Sequence, residues 1–355
     1  MTTTNARRLA SVSRLVFALS LLVSVWLVDV MAAAKGLDIY FIDVEGGAAT
    51  LIVTPYGESL LIDCGWKQDD QRDAKRIHHV ATKVAGITRI NYFVASHFHT
   101  DHFGSISQLN ALIPIDKFYD HALMTEVSEY DKELYPEYLK VAEGKRQILR
   151  AGDLIPFRKG STPLKLLCVT SDGQVISYPV GVGSGVNLYC NGQALKEEDT
   201  SDNARSIGLL LSFGNFEFLD MGDLTWNIEQ KLVCPDNRIG RVDLYMVTHH
   251  GVNNSNNPAL VKAIEPRVAV MCNGPRKGGH PDTVALLKSL PGLQAGYQLH
   301  RNAETRENEN TGKEFIANWD EACKGEFIKA SVAPGGKTFT ITIGEKGSSR
   351  KFQTQ

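Results

Sequence analysis

The chain has no excess of charge of either sign: 38 lysines and arginines stand against 40 aspartates and glutamates, a formal net charge of −2 over 355 residues. That balance supplies no general attraction to nucleic acid, so the composition carries no strong nucleic-acid signal. There are six cysteines but no Cys-x-x-Cys pair, which excludes a structural zinc site of that spacing. No stretch has the sustained polar bias of a long disordered region. The glycine-rich Gly181-Val182-Gly183-Ser184-Gly185 has neither the lysine nor the following helix of a phosphate cradle, and reads as an ordinary mobile loop. Serines and cysteines near the other motifs lack a recognisable paired base, so no separate protein nucleophile is expected. Hydrophobic content of 43% is enough to bury a large core.

The apolar run Leu15–Val28 is short for a membrane span. Arg7, Arg8 and Arg14 precede it and Ala32-Ala33-Ala34 follows, giving residues 1–34 the form of a cleavable signal peptide. The expectation is export to a periplasmic or secreted location, with no retained membrane anchor. No cysteine stands at the cleavage point to accept a lipid. Cleavage after Ala34 removes three arginines and Asp29, leaving 35 basic against 39 acidic residues. Among the cysteines, Cys64, Cys168 and Cys272 lie in or beside apolar runs and read as buried thiols. Any pairing among the six is not given by the sequence.

The mature chain opens with strands over residues 37–43, 48–54 and 59–65, joined by tight turns, then a helix over 69–84. The apolar run Ile90–Ala95 reads as a buried strand, and the densest polar cluster follows it: Ser96-His97-Phe98-His99-Thr100-Asp101-His102-Phe103-Gly104. In an extended loop, residues two apart point the same way, so His97 and His99 can converge on one ion. Asp101 and His102 precede an expected helix over 104–112 and point to a second position nearby. Nitrogen and oxygen donors packed this closely are costly unless a cation holds them together.

Further along, a polar-faced helix is expected over 126–143, with Pro136 allowing either one helix or two. Residues 161–202 read as a β-like, glycine-rich insertion over the site rim, where specificity would reside. A hairpin over 206–213 and 215–220 runs into Met221-Gly222-Asp223-Leu224, and the strand 242–247 runs into Thr248-His249-His250-Gly251. Both place polar groups at strand ends. The strand 267–272 leads through Asn273-Gly274-Pro275-Arg276-Lys277-Gly278-Gly279-His280-Pro281 to another helix, and a strand over 295–299 ends at His300. A closing hairpin is expected around Pro334-Gly335-Gly336. His78, His79 and His121 read as surface or structural.

The order of these motifs resembles the metallo-β-lactamase superfamily of binuclear metal hydrolases, and the late motifs resemble the branch that contains the C-terminal domain of ComEC/Rec2 competence proteins. The resemblance spans residues 37–300. It implies an α/β fold, an αββα sandwich of two mixed β-sheets between outer helices, over residues 35–355. It implies two divalent cations, zinc first, with manganese or iron as alternatives. By the same resemblance, His97, His99 and one of His249 and His250 hold the first ion. Asp101, His102 and His280 hold the second, and Asp223 bridges them. His280 is preferred to His300 because it matches the branch's His-Pro feature. Asp63 orients the metal loop by hydrogen bonding. A metal-bridging hydroxide would attack a small-molecule or phosphoester substrate, with a metal-bound water or Asp101 passing a proton to the leaving group and His250, if not a ligand, donating to an oxyanion.

Two features depart from the pattern. The superfamily's histidine about twenty residues before the bridging aspartate falls here near Asn203, and the turn Val44-Glu45-Gly46-Gly47-Ala48 lacks the branch's aspartate. The alternatives are hydrolysis of a lactone, β-lactam or other ester on the same site, or a non-catalytic binding protein on the same scaffold. A diiron redox protein of this superfamily would carry glutamate at the second histidine and a flavin domain, and neither is present.

Overall fold

Alternation within single strands sets the layering. In β1 (Leu37–Phe41) Leu37, Ile39 and Phe41 face one way into one apolar cluster, and Tyr40 faces the other way into a second. In β11 (Gly208–Phe213) Leu209, Leu211 and Phe213 join the first cluster, and Leu210 joins a third. A period of two with both faces apolar requires cover on both sides of each sheet. The computed structural model, which describes residues 35–125 and 128–355, supplies it as two sheets face to face between helices. The expected signal peptide, residues 1–34, lies outside the described residues. Gly36–Gln355 forms one compact unit.

The first sheet has nine strands. In chain order it takes β1, β2 (Thr50–Val53), β3 (Ser59–Ile62), β4 (Ile90–Val94), β5 (Ile115–Asp120) and β6 (Arg146–Ile148). The second is built on β7 (Leu154–Ile155), β8 (Leu164–Ser171) with β9 (Gln174–Val175) paired to it, β11, β12 (Phe216–Asp220), β14 (Leu244–Met246), β15 (Val268–Met271), β16 (Ala295–His300) and β17 (Ile316–Asn318). Two short strands, β10 (Gly185–Val186) and β13 (Asp236–Asn237), pair apart from both. Each sheet is mixed: β3 to β6 and β12 to β17 run parallel within their sheets, and the hairpins antiparallel. Phe41 meets Phe218 across the sandwich at a centroid distance of 5.8 Å. This is the expected αββα sandwich.

Several expectations change in detail. The closing hairpin is a three-stranded meander, β18 (Ile328–Val332), β19 (Thr338–Ile343) and β20 (Ser349–Gln353), and it extends the first sheet at β1, with Leu37 opposite Val332. The end of the chain therefore completes the sheet that its beginning starts. The insertion begins later than 161, because β8 pairs with β11 inside the second sheet and its Leu166, Leu167, Cys168 and Val169 are buried. Residues 181–185 are pinned rather than free: Val180 N–H donates to Arg238 and Arg241 N–H to Val182. A disulfide joins Cys190 to Cys234 beside them, and Cys64, Cys168 and Cys272 are buried thiols as expected. The helix described over Glu129–Val141 runs unbroken through Pro136. The first helix turns from α to π geometry, Arg72–His79 then Val80–Val84.

Candidate metal centre

The parallel strands β4, β12 and β14 deliver their C-terminal ends to one edge, as open α/β sheets do. After β4, His99 stands in extended conformation before a helical turn, Thr100–Phe103. Asp101 and His102 therefore belong to that turn, not to a loop preceding a helix at Gly104. Asp63 leaves β3 with φ of 60° and turns its carboxylate under this loop. It accepts from Ser96 N–H at 2.8 Å and Ser96 hydroxyl at 2.7 Å, and His102 Nδ1 lies 2.7 Å away. Asp63 thus orients the loop by hydrogen bonding.

Four donor atoms converge on one point: Asp101 Oδ2, His102 Nε2, Asp223 Oδ2 and His250 Nε2, all from buried residues. His102 Nε2 lies 3.2 Å from Asp101, Asp223 and His250 alike, and His250 Nε2 lies 3.1 Å from Asp101 and 3.2 Å from Asp223. Two imidazole nitrogens and two carboxylate oxygens gathered this closely are a donor set that zinc takes. His249 Nε2 stands 3.3 Å from the same Asp223 oxygen. His97 and His99 face each other beside it, Nε2 to Nδ1 at 3.1 Å, and the His97 and His102 rings are 4.1 Å apart.

The imidazole tautomers follow from the outer bonds. Ser96 hydroxyl donates to Asp63, so it accepts from His97 Nδ1 at 3.1 Å. Ser255 hydroxyl donates to Leu224 carbonyl, so it accepts from His249 Nδ1 at 3.1 Å. His250 Nδ1 donates to Cys272 carbonyl at 2.9 Å, and His102 Nδ1 to Asp63. With each Nδ1 proton committed, the Nε2 lone pairs of all four rings are left to the cluster. This donor set fits divalent cations: nitrogen-rich, with carboxylates and no sulfur.

The field at the centre favours positive charge. Burial opposes an imidazolium at His102, but Asp223, Asp101 and Asp63 outweigh it and raise its pKa well above the ordinary histidine value. Burial also works against ionising Asp101 and Asp223, yet the imidazoles around them, with Lys277 beside Asp101, hold both carboxylic acids well below the usual range. Burial and its histidine neighbours push His97 well down, and burial takes His249 to about 4.

His249 and His250 share the left-handed region, φ 53° and 52°, a conformation that costs non-glycine residues about 1 kcal/mol or more each. What holds them is the loop Asn273–Gly279. Gly279 N–H donates to His250 carbonyl, and a Cβ on Gly278 would stand 2.1 Å from that oxygen. From the other side, Glu229 accepts from Asn256 and Asn257 N–H at 3.0 and 2.7 Å, and Asn256 side chain donates to Thr248 carbonyl. Burial pushes the Glu229 acid up to about 7, above its unfolded value near 4.5. Its contribution is then present in full below pH 4.5 and lost as pH rises through 7. Relative to Glu229→Gln, wild type is expected to lose on the order of 2–3 kcal/mol between pH 4.5 and pH 8, read by urea unfolding at each pH. A difference that does not change with pH would refute this.

The structure corrects the expected ligand grouping. His280 is outside the cluster: its side chain is 40% exposed and its Nδ1 accepts from Asp282 N–H at 3.2 Å, capping the helix Pro281–Lys288. His250 occupies the place expected of His280, with Asp101 and His102, and His249 reaches the same Asp223 oxygen. Both members of the His-His pair thus reach the centre. His300 is buried against Asp43 at 2.7 Å and is also outside the cluster. Two contributors were not read from the sequence. Asp202, beside the position where the superfamily's third motif falls, accepts from Phe98 N–H at 2.7 Å and pairs with His121 at 3.0 Å, so it clamps the metal loop. Lys277 pairs with Asp101 Oδ2. A lone lysine among glycines and an Asp-Asn pair are the faint signals they left.

No curated protein matches the chain. Among solved structures it is similar to Igni18, a metallo hydrolase of the archaeon Ignicoccus hospitalis, at 12% identity over 73% of this chain and 94% of that one, with a TM-score of 0.41. CmlA, a diiron β-hydroxylase of Streptomyces venezuelae, is similar at 13% identity over 74% of this chain and 52% of that one, TM-score 0.42. A Cronobacter sakazakii metallo-β-lactamase is similar at 13% identity over 71% and 66%, TM-score 0.32. The family model of the metallo-β-lactamase superfamily matches residues 42–181, a span that contains Asp63 and the whole His97–His102 loop. Residues 42–181 thus match the metallo-β-lactamase superfamily, and with that loop, the buried Asp101-His102-Asp223-His250 tetrad and the αββα sandwich the chain is a metal-dependent hydrolase of that fold.

Proposed function

We propose that the protein is an exported binuclear hydrolase of phosphoester bonds, phosphodiesters first. One observation carries the two-ion reading: a single carboxylate oxygen, Asp223 Oδ2, is met by the Nε2 atoms of His102, His249 and His250 at 3.2, 3.3 and 3.2 Å. An oxygen that three imidazoles share is where a bridge between cations would sit. In this reading His97, His99 and His249 serve one ion, Asp101, His102 and His250 the other, and zinc suits the set, with manganese and iron as alternatives. Two such ions, when bound, supply a water acidic enough to attack near neutral pH and take up charge developing on the substrate. Around them the chain's own groups orient the ligands: Asp63 fixes His102, Cys272 carbonyl fixes His250, and Ser255 fixes His249.

The phosphoester class is supported by the late motifs, Gly-Asp-Leu, His-His-Gly and the glycine loop with His-Pro, in the order of the ComEC/Rec2-like branch. Export is supported by the form of residues 1–34 and by the Cys190–Cys234 disulfide, a bond at home in oxidising compartments. No helix among the described residues is long and apolar enough to cross a membrane. The test is a parallel assay of metal-loaded protein starting at Lys35 on an aryl phosphodiester, an aryl phosphomonoester, a lactone and a β-lactam. The expected result is turnover of the phosphodiester at least tenfold better in kcat/KM than of either carbonyl substrate, roughly 1.4 kcal/mol of discrimination. Turnover confined to the lactone or β-lactam would move the protein to the carbonyl-hydrolase reading.

A further inference from the structure

We propose that Lys277 selects for an anionic substrate: its ammonium, carried on the face of Trp66 at the edge of the donor cluster, holds a non-bridging oxygen of the phosphoester. The proposal rests on the phosphoester reading above and adds a binding group to it. Trp66 follows β3 in the first half of the chain and Lys277 follows β15 in the second, so only the folded sandwich brings them together. Lys277 Nζ lies 4.9 Å from the centroid of the Trp66 ring and pairs with Asp101 Oδ2. Its side chain is 37% exposed where that of Asp101 is 7%, so the ammonium stands between solvent and the buried centre.

The stem of this lysine is held as few surface lysines are. Its carbonyl accepts from Gly274 N–H at 2.8 Å, and Gly279, two residues on, donates to the His250 carbonyl as described. On the other side, Gly46, with φ of 90°, comes so near that a Cβ there would stand 3.0 Å from Lys277 Cβ. Trp66 is fixed in turn, its N–H donating to the buried Asp73 at 2.8 Å. The neighbouring cations are already engaged: Arg72 with Glu45 and Asp73, and Arg76 with Asp43 and Glu45. The acidic partner of Lys277 is itself a member of the donor cluster. A carboxylate oxygen directed at a divalent ion has little left for an ammonium, whereas the attraction of the Trp66 face for a cation is independent of Asp101. The lysine is then left between solvent and a centre that carries two carboxylates, Asp101 and Asp223. A fixed positive charge offsets their repulsion of an anion, and a neutral ester gains nothing from it. Lys277 binds and orients, and no covalent step is assigned to it.

The experiment compares wild type, Lys277→Met and Lys277→Arg, each starting at Lys35, for bound metal, for binding of inorganic phosphate by calorimetry, and for kcat/KM on an aryl phosphodiester and a neutral lactone. Lys277→Met is expected to keep wild-type metal content. It should weaken phosphate binding and phosphodiester kcat/KM by roughly 10- to 100-fold, the worth of one charge-assisted hydrogen bond, chiefly through KM. Activity on the lactone should change by no more than about threefold, and Lys277→Arg should restore most of the phosphate binding. Equal losses on charged and neutral substrates, unchanged phosphate binding, or loss of metal in Lys277→Met would each overturn the assignment. A wild type that binds phosphate through Lys277 but turns over only the lactone would defeat the phosphoester reading and leave the lysine's anion site standing.

Discussion

Asp223→Ala is expected to release most of the tightly bound divalent metal, from about two equivalents per chain to well under one, and to lower hydrolysis by roughly a thousandfold or more. Asp223 Oδ2 is the atom that His102, His249 and His250 have in common, so its removal takes a ligand from both halves of the centre. It also leaves these three imidazoles with one counter-charge fewer, which favours their neutral forms but provides no oxygen to bridge cations. Elemental analysis of folded protein, with circular dichroism as the control for fold, reads the result directly. Retention of both equivalents in the variant would show that the centre is organised around some other group.

The second large effect separates His250 from His280, the histidine that the sequence reading placed with Asp101 and His102. His250→Ala is expected to lose the ion held with Asp101 and His102 and, with it, at least about two orders of magnitude in activity, since removal even of a group that orients a ligand costs 10- to 100-fold. His280→Ala should keep both ions and activity within about twofold, at a stability cost of about 1 kcal/mol for the lost helix cap. The geometry demands this contrast. His250 is buried with Nδ1 bound to Cys272 carbonyl, leaving Nε2 for the cluster, whereas His280 spends Nδ1 on Asp282 N–H at the surface. Equal metal loss in the two variants would return His280 to the centre.

Much of the site was legible because its ligands are local in sequence. His97, His99, Asp101 and His102 fall within six residues after one strand, and Asp223 and the His-His pair each follow a strand whose apolar run is plain. Apolar runs likewise marked residues 37–43 and 206–213 as strands, where β1 and β11 lie. What stayed hidden depends on contacts between distant segments. Whether His250 or His280 joins Asp101 is decided by left-handed φ at His249 and His250 and by the close approach of Gly278 to His250, neither of which has a local sequence pattern. Asp202 reads as an ordinary polar loop residue until β8 and β11 bring it under Phe98 N–H.

The sequence by itself determined the order of strands and helices and the identity of most donor atoms, because apolar period and histidine density are properties of short stretches. Only the tertiary structure decided which donors converge, that the C-terminal meander pairs with β1, and that Lys277 reaches Asp101 across 176 positions of chain. Those outcomes are set by packing: a buried polar atom must find its partner wherever the folded chain brings one within reach.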